Sequence, residues 1–169
     1  KLVPFGEFLP AYNFLEKIGL KKVTEGYGSF SSGNKKDLFN YKNYSILPVI
    51  CYEIIFPGFF YSYKNSNLIL NISEDAWFGK SIGPHQHFAK AKFRAIEMDN
   101  YLIRSANKGF SAFLDNKGKI IKILNPGEVG SIEFKVPIIK GSKNTKNNLI
   151  FFILLFTYTF IFLYFNNEK

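Results

Sequence analysis

Cys51 is the only cysteine in the chain, and a carboxylate follows it two residues later at Glu53. The apolar run at residues 46–50 predicts a short buried strand that ends at Cys51. A strand end holds a side chain rigidly while it faces a crevice, which is where α/β proteins usually place reactive groups. Cysteines react through the thiolate, so this position is a candidate for nucleophilic chemistry. The alternative is an inert core residue, because a lone cysteine among apolar neighbours usually is one.

Composition excludes several classes of protein. The chain has 169 residues, which is enough for one domain and a tail. The formal net charge is +9, but the lysines are scattered and form no dense stripe, so we predict no nucleic-acid partner. A single cysteine excludes an internal disulfide and a cysteine-rich metal site. We predict neither a metal nor a cofactor.

Alternating apolar strands and one clear helix predict an α/β sandwich. Besides the strand before Cys51, we predict strands at residues 68–72, 101–106, 110–114, 119–124 and 129–136, helices at residues 11–20 and 84–100, and partly helical structure at residues 56–67. The strands at residues 110–114 and 119–124 form a hairpin, because the turn between them contains the Asn and Gly that positive φ angles favour.

The C-terminal end differs in character from the rest. Residues 149–165 contain no charge, no Gly and no Pro. A helix over this range is about 26 Å long, close to the ~30 Å hydrocarbon core of a bilayer. We therefore predict a domain at residues 1–138, a linker at 139–148, one transmembrane helix at 149–165 and a tail at 166–169. A buried core helix is the alternative interpretation.

Four ordered motifs resemble a known family. LVPFGEFLP, PVICYEIIFP, ISEDAWFGKSIGPHQHFAKAKFRAIE and LIRSANKGFSAFLDNKGKI follow one another as in the apolipoprotein N-acyltransferases, the membrane member of the nitrilase superfamily of carbon–nitrogen hydrolases. The resemblance covers essentially the whole chain. It implies the C-terminal part of a nitrilase-like α-β-β-α sandwich, on the periplasmic side of a bacterial inner membrane.

The resemblance also implies a reaction. The family transfers an acyl chain from a membrane phospholipid to the N-terminal diacylglyceryl-cysteine of an apolipoprotein, through an acyl-thioester. Cys51 matches the nucleophile of the family's CYE motif.

Other residues are carried over from the same motifs. Glu7, in PFGE, matches an additional essential acid. Tyr52 and Glu53 match the positions beside the nucleophile, where Glu53 would help to fix the pocket. Trp77 and Phe78 resemble residues near the substrate entrance.

Two members of the family's Glu–Lys–Cys triad have no match in this sequence. The family's lysine stands two residues ahead of where the chain starts, so Lys1 is out of register and is not assigned that role. The family's basic glutamate lies far upstream. We therefore expect the C-terminal part of a longer enzyme, with little or no activity alone.

The remaining polar residues near the motifs have simpler interpretations. His85 and His87 would face different sides of a helix, which favours packing or hydrogen bonding over a metal pair. Glu74 and Asp75 are adjacent acids on a loop, which are mostly solvated or capping. Arg104 would meet either a phosphate or an acid, and the sequence does not decide between them.

Three functions remain open from the sequence. The first is the lipoprotein acyltransferase. The second is a nitrilase-type amidase, in which Cys51 attacks a small soluble amide. The third is a membrane-anchored binding module in which Cys51 is inert. The C-terminal apolar run and a long loop with apolar residues at its tip (Phe14, Leu15, Ile18 and Phe30) favour a lipid substrate over a soluble amide.

Overall fold

The computed structural model describes residues 3–4, 7–20, 31, 33, 37–63, 65–138 and 148–167, which include one six-stranded sheet with its strands in chain order. The strands are β1 (Phe39–Tyr41), β2 (Tyr44–Ile50), β3 (Leu68–Glu74), β4 (Tyr101–Asn107), β5 (Ser111–Leu114) and β6 (Ile120–Leu124). The central strands β2, β3 and β4 are parallel, and the pairings β1–β2, β4–β5 and β5–β6 are antiparallel. The parallel strands therefore bring their carboxyl ends to one edge of the sheet.

The helices of the described residues are α1 (Tyr12–Leu15), α2 (Pro57–Phe60), α3 (Gly83–Met98) and α4 (Asn148–Asn167), with 3₁₀ turns at Cys51–Ile55, Tyr61–Tyr63 and Ala76–Phe78. Two of these four helices, α2 and α3, lie in the connections between the parallel strands. Pro84 lies in the first turn of α3, where its missing N–H group costs nothing. Phe88, Ala91 and Ala95 are buried on one side of α3 and join Leu102 of β4 in the core.

The sheet is buried on one face and partly open on the other. Leu47 and Val49 of β2 belong to the core, whereas Ile50 is 66% exposed and Ile72 of β3 is 57% exposed. The mixed α/β class is confirmed. Of the predicted α-β-β-α sandwich, the part of the chain that the structure describes contains one sheet and one helical layer.

The strands predicted around residues 46–50, 68–72, 101–106, 110–114 and 119–124 and the helix at residues 84–100 are confirmed. The strand predicted at residues 129–136 is wrong. That segment lies on the sheet without pairing: the ring of Phe134 packs on Tyr101 and Phe113, with centroids 6.3 and 5.7 Å away. The hydroxyl of Tyr44 donates to the carbonyl of Val136 at 2.5 Å. Ile132, Phe134 and Val136 are half-buried where the segment crosses the strands, whereas Val129 is fully exposed.

The helix predicted at residues 11–20 is correct only in its first part. α1 ends at Leu15, and hydrogen-bonded turns continue to Leu20. Ala11 precedes α1 with a φ of 46° and no side-chain cap, although its carbonyl accepts from the N–H groups of Phe14 and Leu15 at 2.9 and 3.1 Å. Gly19, at φ 81°, reverses the chain.

The C-terminal run is helical, as predicted, within α4. Among the described residues, however, no helix combines the length and the apolarity needed to cross a membrane. The transmembrane prediction for residues 149–165 is therefore not confirmed. Residues 139–147 of the predicted linker and residues 168–169 of the predicted tail lie outside the described residues.

Candidate active site

Cys51 begins the 3₁₀ turn that follows β2, and its backbone is left-handed with a φ of 44°. This conformation costs a non-glycine residue about 1–2 kcal/mol, so surrounding contacts must hold it. Its side chain is half-buried. A sharp turn at a strand end presents the side chain beyond the edge of the sheet, which suits a nucleophile.

The thiol of Cys51 lies against the end of the neighbouring parallel strand. β2 and β3 pair with Ile50 beside Ile72, so Cys51 comes next to Ser73. The Sγ atom is 3.6 Å from Ser73 Oγ and 3.9 Å from the carbonyl oxygen of Glu74. These polar neighbours show that the thiol does not lie in a purely apolar core.

Behind the thiol is a buried ion pair. Arg104 Nη2 donates to both carboxylate oxygens of Asp75, at 2.8 and 3.0 Å, and both side chains are fully buried. Arg104 Nη1 donates to Asn71 Oδ1, and Asn71 Nδ2 donates to the carbonyl of Val49 at 3.1 Å. The pair therefore joins the ends of all three parallel strands.

His87, in the first turn of α3, connects this ion pair to Cys51. Its Nδ1 atom is 2.9 Å from Asp75 Oδ1 and 3.1 Å from Arg104 Nη2. Its Nε2 atom is 3.2 Å from the carbonyl oxygen of Cys51. The side chain is buried, and the ring of Phe78 lies 5.5 Å away between centroids. The imidazole thus contacts the backbone of the candidate nucleophile.

Electrostatics keep Asp75 ionised. Burial alone would raise the pKa of Asp75, but its hydrogen-bonding contacts with His87 and Ser73 and the charge of Arg104 outweigh it and lower the pKa from 3.8 to about 2. Burial lowers the pKa of Arg104, and the charge and hydrogen bonds of Asp75 oppose that shift. Asp75 is therefore a carboxylate at neutral pH and does not accept a proton there.

The depressed pKa of Asp75 predicts acid destabilisation. The ionised carboxylate of Asp75 stabilises the folded state above pH about 4. This stabilisation is lost as the pH falls through about 2, because Asp75 binds a proton at a higher pH in the unfolded state than in the folded state. It amounts to about 2 kcal/mol at neutral pH. Urea unfolding between pH 5 and pH 2 measures it. Glu128→Gln is the matched control, since the pKa of Glu128 is also lowered by hydrogen bonding but its side chain is exposed. Equal acid sensitivity in the wild type and in Asp75→Asn would contradict the assignment.

Asn71, Asp75, His87 and Arg104 form a buried cluster. Gly109, in the turn between β4 and β5, packs against it. A Cβ atom at this position would lie 2.2 Å from Asp75 Oδ2, far closer than van der Waals contact allows. The backbone N–H of Asp75 donates to the carbonyl of Asn107 at 2.9 Å. Only glycine lets the turn approach the buried carboxylate this closely.

The residues predicted beside the nucleophile are near it. Glu53 is buried, and its Oε2 accepts a hydrogen bond from the N–H of Ile50 at 2.9 Å, which braces the turn that contains Cys51. The ring of Tyr52 lies 5.7 Å from Phe56 between centroids, and it also neighbours the imidazole of the cluster.

The other predicted residues have different surroundings. Trp77 is 71% exposed on the turn after β3, whereas Phe78 is half-buried against His87. Glu7 accepts from the N–H of Val3 at 2.9 Å, within its own turn. Among the described residues, the carboxylate of Glu7 makes this hydrogen bond and makes none to Cys51.

Three predictions about polar residues can now be judged. The expectation that Asp75 is solvated or capping is wrong, because its carboxylate is buried in the ion pair. Glu74 does cap, by accepting from the N–H of Ala76 at 2.9 Å. Arg104 meets an acid, and the hydrogen-bonding role expected of His87 is confirmed.

The comparison with known proteins decides the family. The sequence model of the carbon–nitrogen hydrolases matches residues 16–137. The chain belongs to the carbon–nitrogen hydrolase family. The Cys51 turn and the buried cluster lie inside the matched region.

Within the carbon–nitrogen hydrolases, the chain is similar to proteins named apolipoprotein N-acyltransferase, as its motifs predicted. It is 43% identical to the one from Brucella melitensis over 138 residues, which are 80% of this chain and 26% of that protein. It is 44% identical to the one from Rhizobium etli over 137 residues, with the same coverage of both. The chain therefore spans about a quarter of the length of these relatives.

Proposed function

We propose that this carbon–nitrogen hydrolase domain transfers an acyl chain from a phospholipid to the N-terminal diacylglyceryl-cysteine of an apolipoprotein, with Cys51 as the nucleophile. The observation that carries the proposal is the left-handed turn at Cys51, which places a half-exposed thiol at the carboxyl end of a parallel strand. The name of the similar proteins supports the substrate class.

The proposed reaction has two balanced steps. In the first, the Cys51 thiolate attacks the ester carbonyl, a C–S bond forms, the ester C–O bond breaks, and the released lysophospholipid takes up a proton. In the second, the amine of the acceptor attacks the thioester, a C–N bond forms, the C–S bond breaks, the nitrogen releases a proton to solvent, and the thiolate is restored. Both steps pass through an oxyanion that N–H donors would stabilise.

The described site supports Cys51 without supplying its base. Asp75 remains ionised to pH about 2 and is fully engaged by Arg104, Ser73 and His87. A carboxylate with so low a pKa is a poor general base at neutral pH. We assign the cluster a structural and electrostatic role.

Further roles follow from exposure and position. We assign Trp77 and Phe78 to the substrate entrance, supported by the exposed indole of Trp77 on the turn that leads from the site. Glu53 and Tyr52 support the nucleophile turn, and Glu7 is a supporting acid on the strength of its motif. Location at a bacterial inner membrane, with the domain on the periplasmic side, belongs to the same proposal and is supported by the resemblance alone.

Hydrolysis of a small amide is the second candidate, because the family match is to carbon–nitrogen hydrolases in general. In that reaction water, rather than an amine, would release the acyl group from Cys51. The polar neighbours of the thiol suit either reaction.

Product analysis separates the two functions. We expect a purified full-length protein that contains this domain to release lysophospholipid from a fluorescent phospholipid once per Cys51, and to turn over repeatedly only when a diacylglyceryl-cysteine peptide is added. Such two-stage behaviour is the kinetic sign of a covalent intermediate. Chromatography of the lipid products measures it. Turnover of small amides, with no lysophospholipid, would favour the amidase instead.

A further inference from the structure

The carbonyl group of Cys51 needs an external partner to hold its unusual conformation. At φ 44° the residue is outside the range that side-chain-bearing residues favour, and such a conformation persists only where neighbours over-determine it. His87 Nε2 lies 3.2 Å from this carbonyl oxygen. Because a carbonyl oxygen only accepts, the proton of this hydrogen bond is carried by Nε2.

The imidazole that makes this bond is itself fixed. Its other nitrogen, Nδ1, lies 2.9 Å from Asp75 Oδ1 and 3.1 Å from Arg104 Nη2. The side chain of His87 is 3% exposed, and its ring packs against Phe78. The ion pair therefore sets the orientation of the ring. In that orientation Nε2 faces the backbone carbonyl of the candidate nucleophile.

We propose that His87 is a positioning residue for Cys51, which it holds in the left-handed turn by donating a hydrogen bond from Nε2 to the Cys51 carbonyl. This inference rests on the proposed function, in which the thiol of Cys51 is the reacting group. In this arrangement His87 contacts the backbone carbonyl of Cys51 rather than its thiol and acts through the backbone.

The rate of alkylation by iodoacetamide reports the state of Cys51 directly, because the chain has one cysteine. We expect His87→Leu, which fills the space without a donor, to lower the rate constant about tenfold, the scale of a small misplacement of a reacting group. His87→Gln places an amide donor in the same region and should restore the rate to within about threefold. His85→Leu is the matched control and should not change it, because His85 is exposed in the same turn of α3.

An NMR measurement on the wild type tests the same bond without a destabilising change. The chain has two histidines, so a His85→Gln spectrum assigns the ring nitrogens of His87. We expect a slowly exchanging proton on Nε2. A ring protonated only at Nδ1 would overturn the inference, as would a folded His87→Leu variant that reacts at the wild-type rate, or a folded His87→Gln variant as slow as His87→Leu.

These measurements need no acyl donor, so they can fail independently of the proposed function. Alkylation and NMR results as expected, in a protein that never acquires an acyl group, would refute the acyl transfer alone. If His87→Leu does not fold, which circular dichroism shows, the Gln variant and the wild-type spectrum still decide.

Discussion

Cys51→Ser is expected to lower acyl transfer at least about a thousandfold, because a serine hydroxyl is a far weaker nucleophile than a thiolate at neutral pH. The side chain keeps its size and its polar neighbours, Ser73 Oγ and the Glu74 carbonyl. The urea midpoint should therefore change little. Release of lysophospholipid, followed with full-length wild type and variant at equal concentration, measures the effect.

Trp77→Phe is the matched control for that loss. Trp77 is exposed and lies outside the nucleophile turn, so its variant should retain the chemical step even where it binds lipid less well. A Cys51→Ser variant that is folded and as active as the wild type would leave only the inert interpretation of the cysteine.

Arg104→Met is expected to have the largest effect on stability, a loss of about 3–5 kcal/mol in the free energy of unfolding, because it leaves the charge of Asp75 buried and unpaired. Both side chains of the pair are fully buried. Asn71 Oδ1 also loses its donor. Urea titration followed by circular dichroism measures the change.

Two further variants separate the lost pairing from the lost side chain. Arg94→Met makes the same replacement at another buried arginine, but its partner Glu97 is 34% exposed and can be hydrated. We expect a loss of about 1 kcal/mol there. Adding Asp75→Asn to Arg104→Met should recover part of the larger loss, because it removes the unpaired charge. Equal losses of stability at Arg94 and Arg104 would show that the buried Arg104–Asp75 pair contributes no more than the partly exposed Arg94–Glu97 pair.

The sequence predicted the strands that carry the site because their signals are local. Residues 46–50 and 68–72 are apolar runs of strand length, and the apolar positions of residues 84–100 recur with helical spacing. The position of Cys51 at a strand end followed from these runs. The strand predicted at residues 129–136 failed because an extended apolar segment has the same pattern whether it pairs with a sheet or crosses it.

The buried cluster was not predicted, because its members are far apart in the chain. Asp75 stands in a polar loop and looks solvated, yet it meets Arg104 from the next strand and His87 from α3. One signal was present: Asn71 and Arg104 interrupt otherwise apolar strands. A polar side chain inside a buried strand needs a partner, and the parallel register places these two side by side.

Intact-mass spectrometry of a full-length protein that contains this domain, after incubation with a phospholipid and without an acceptor, tests the central claim most directly. The account predicts one added acyl chain per molecule, located on Cys51, removed by hydroxylamine as thioesters are, and absent from Cys51→Ser. An unmodified Cys51 in protein that releases lysophospholipid, or an acyl group on any other residue, would contradict it.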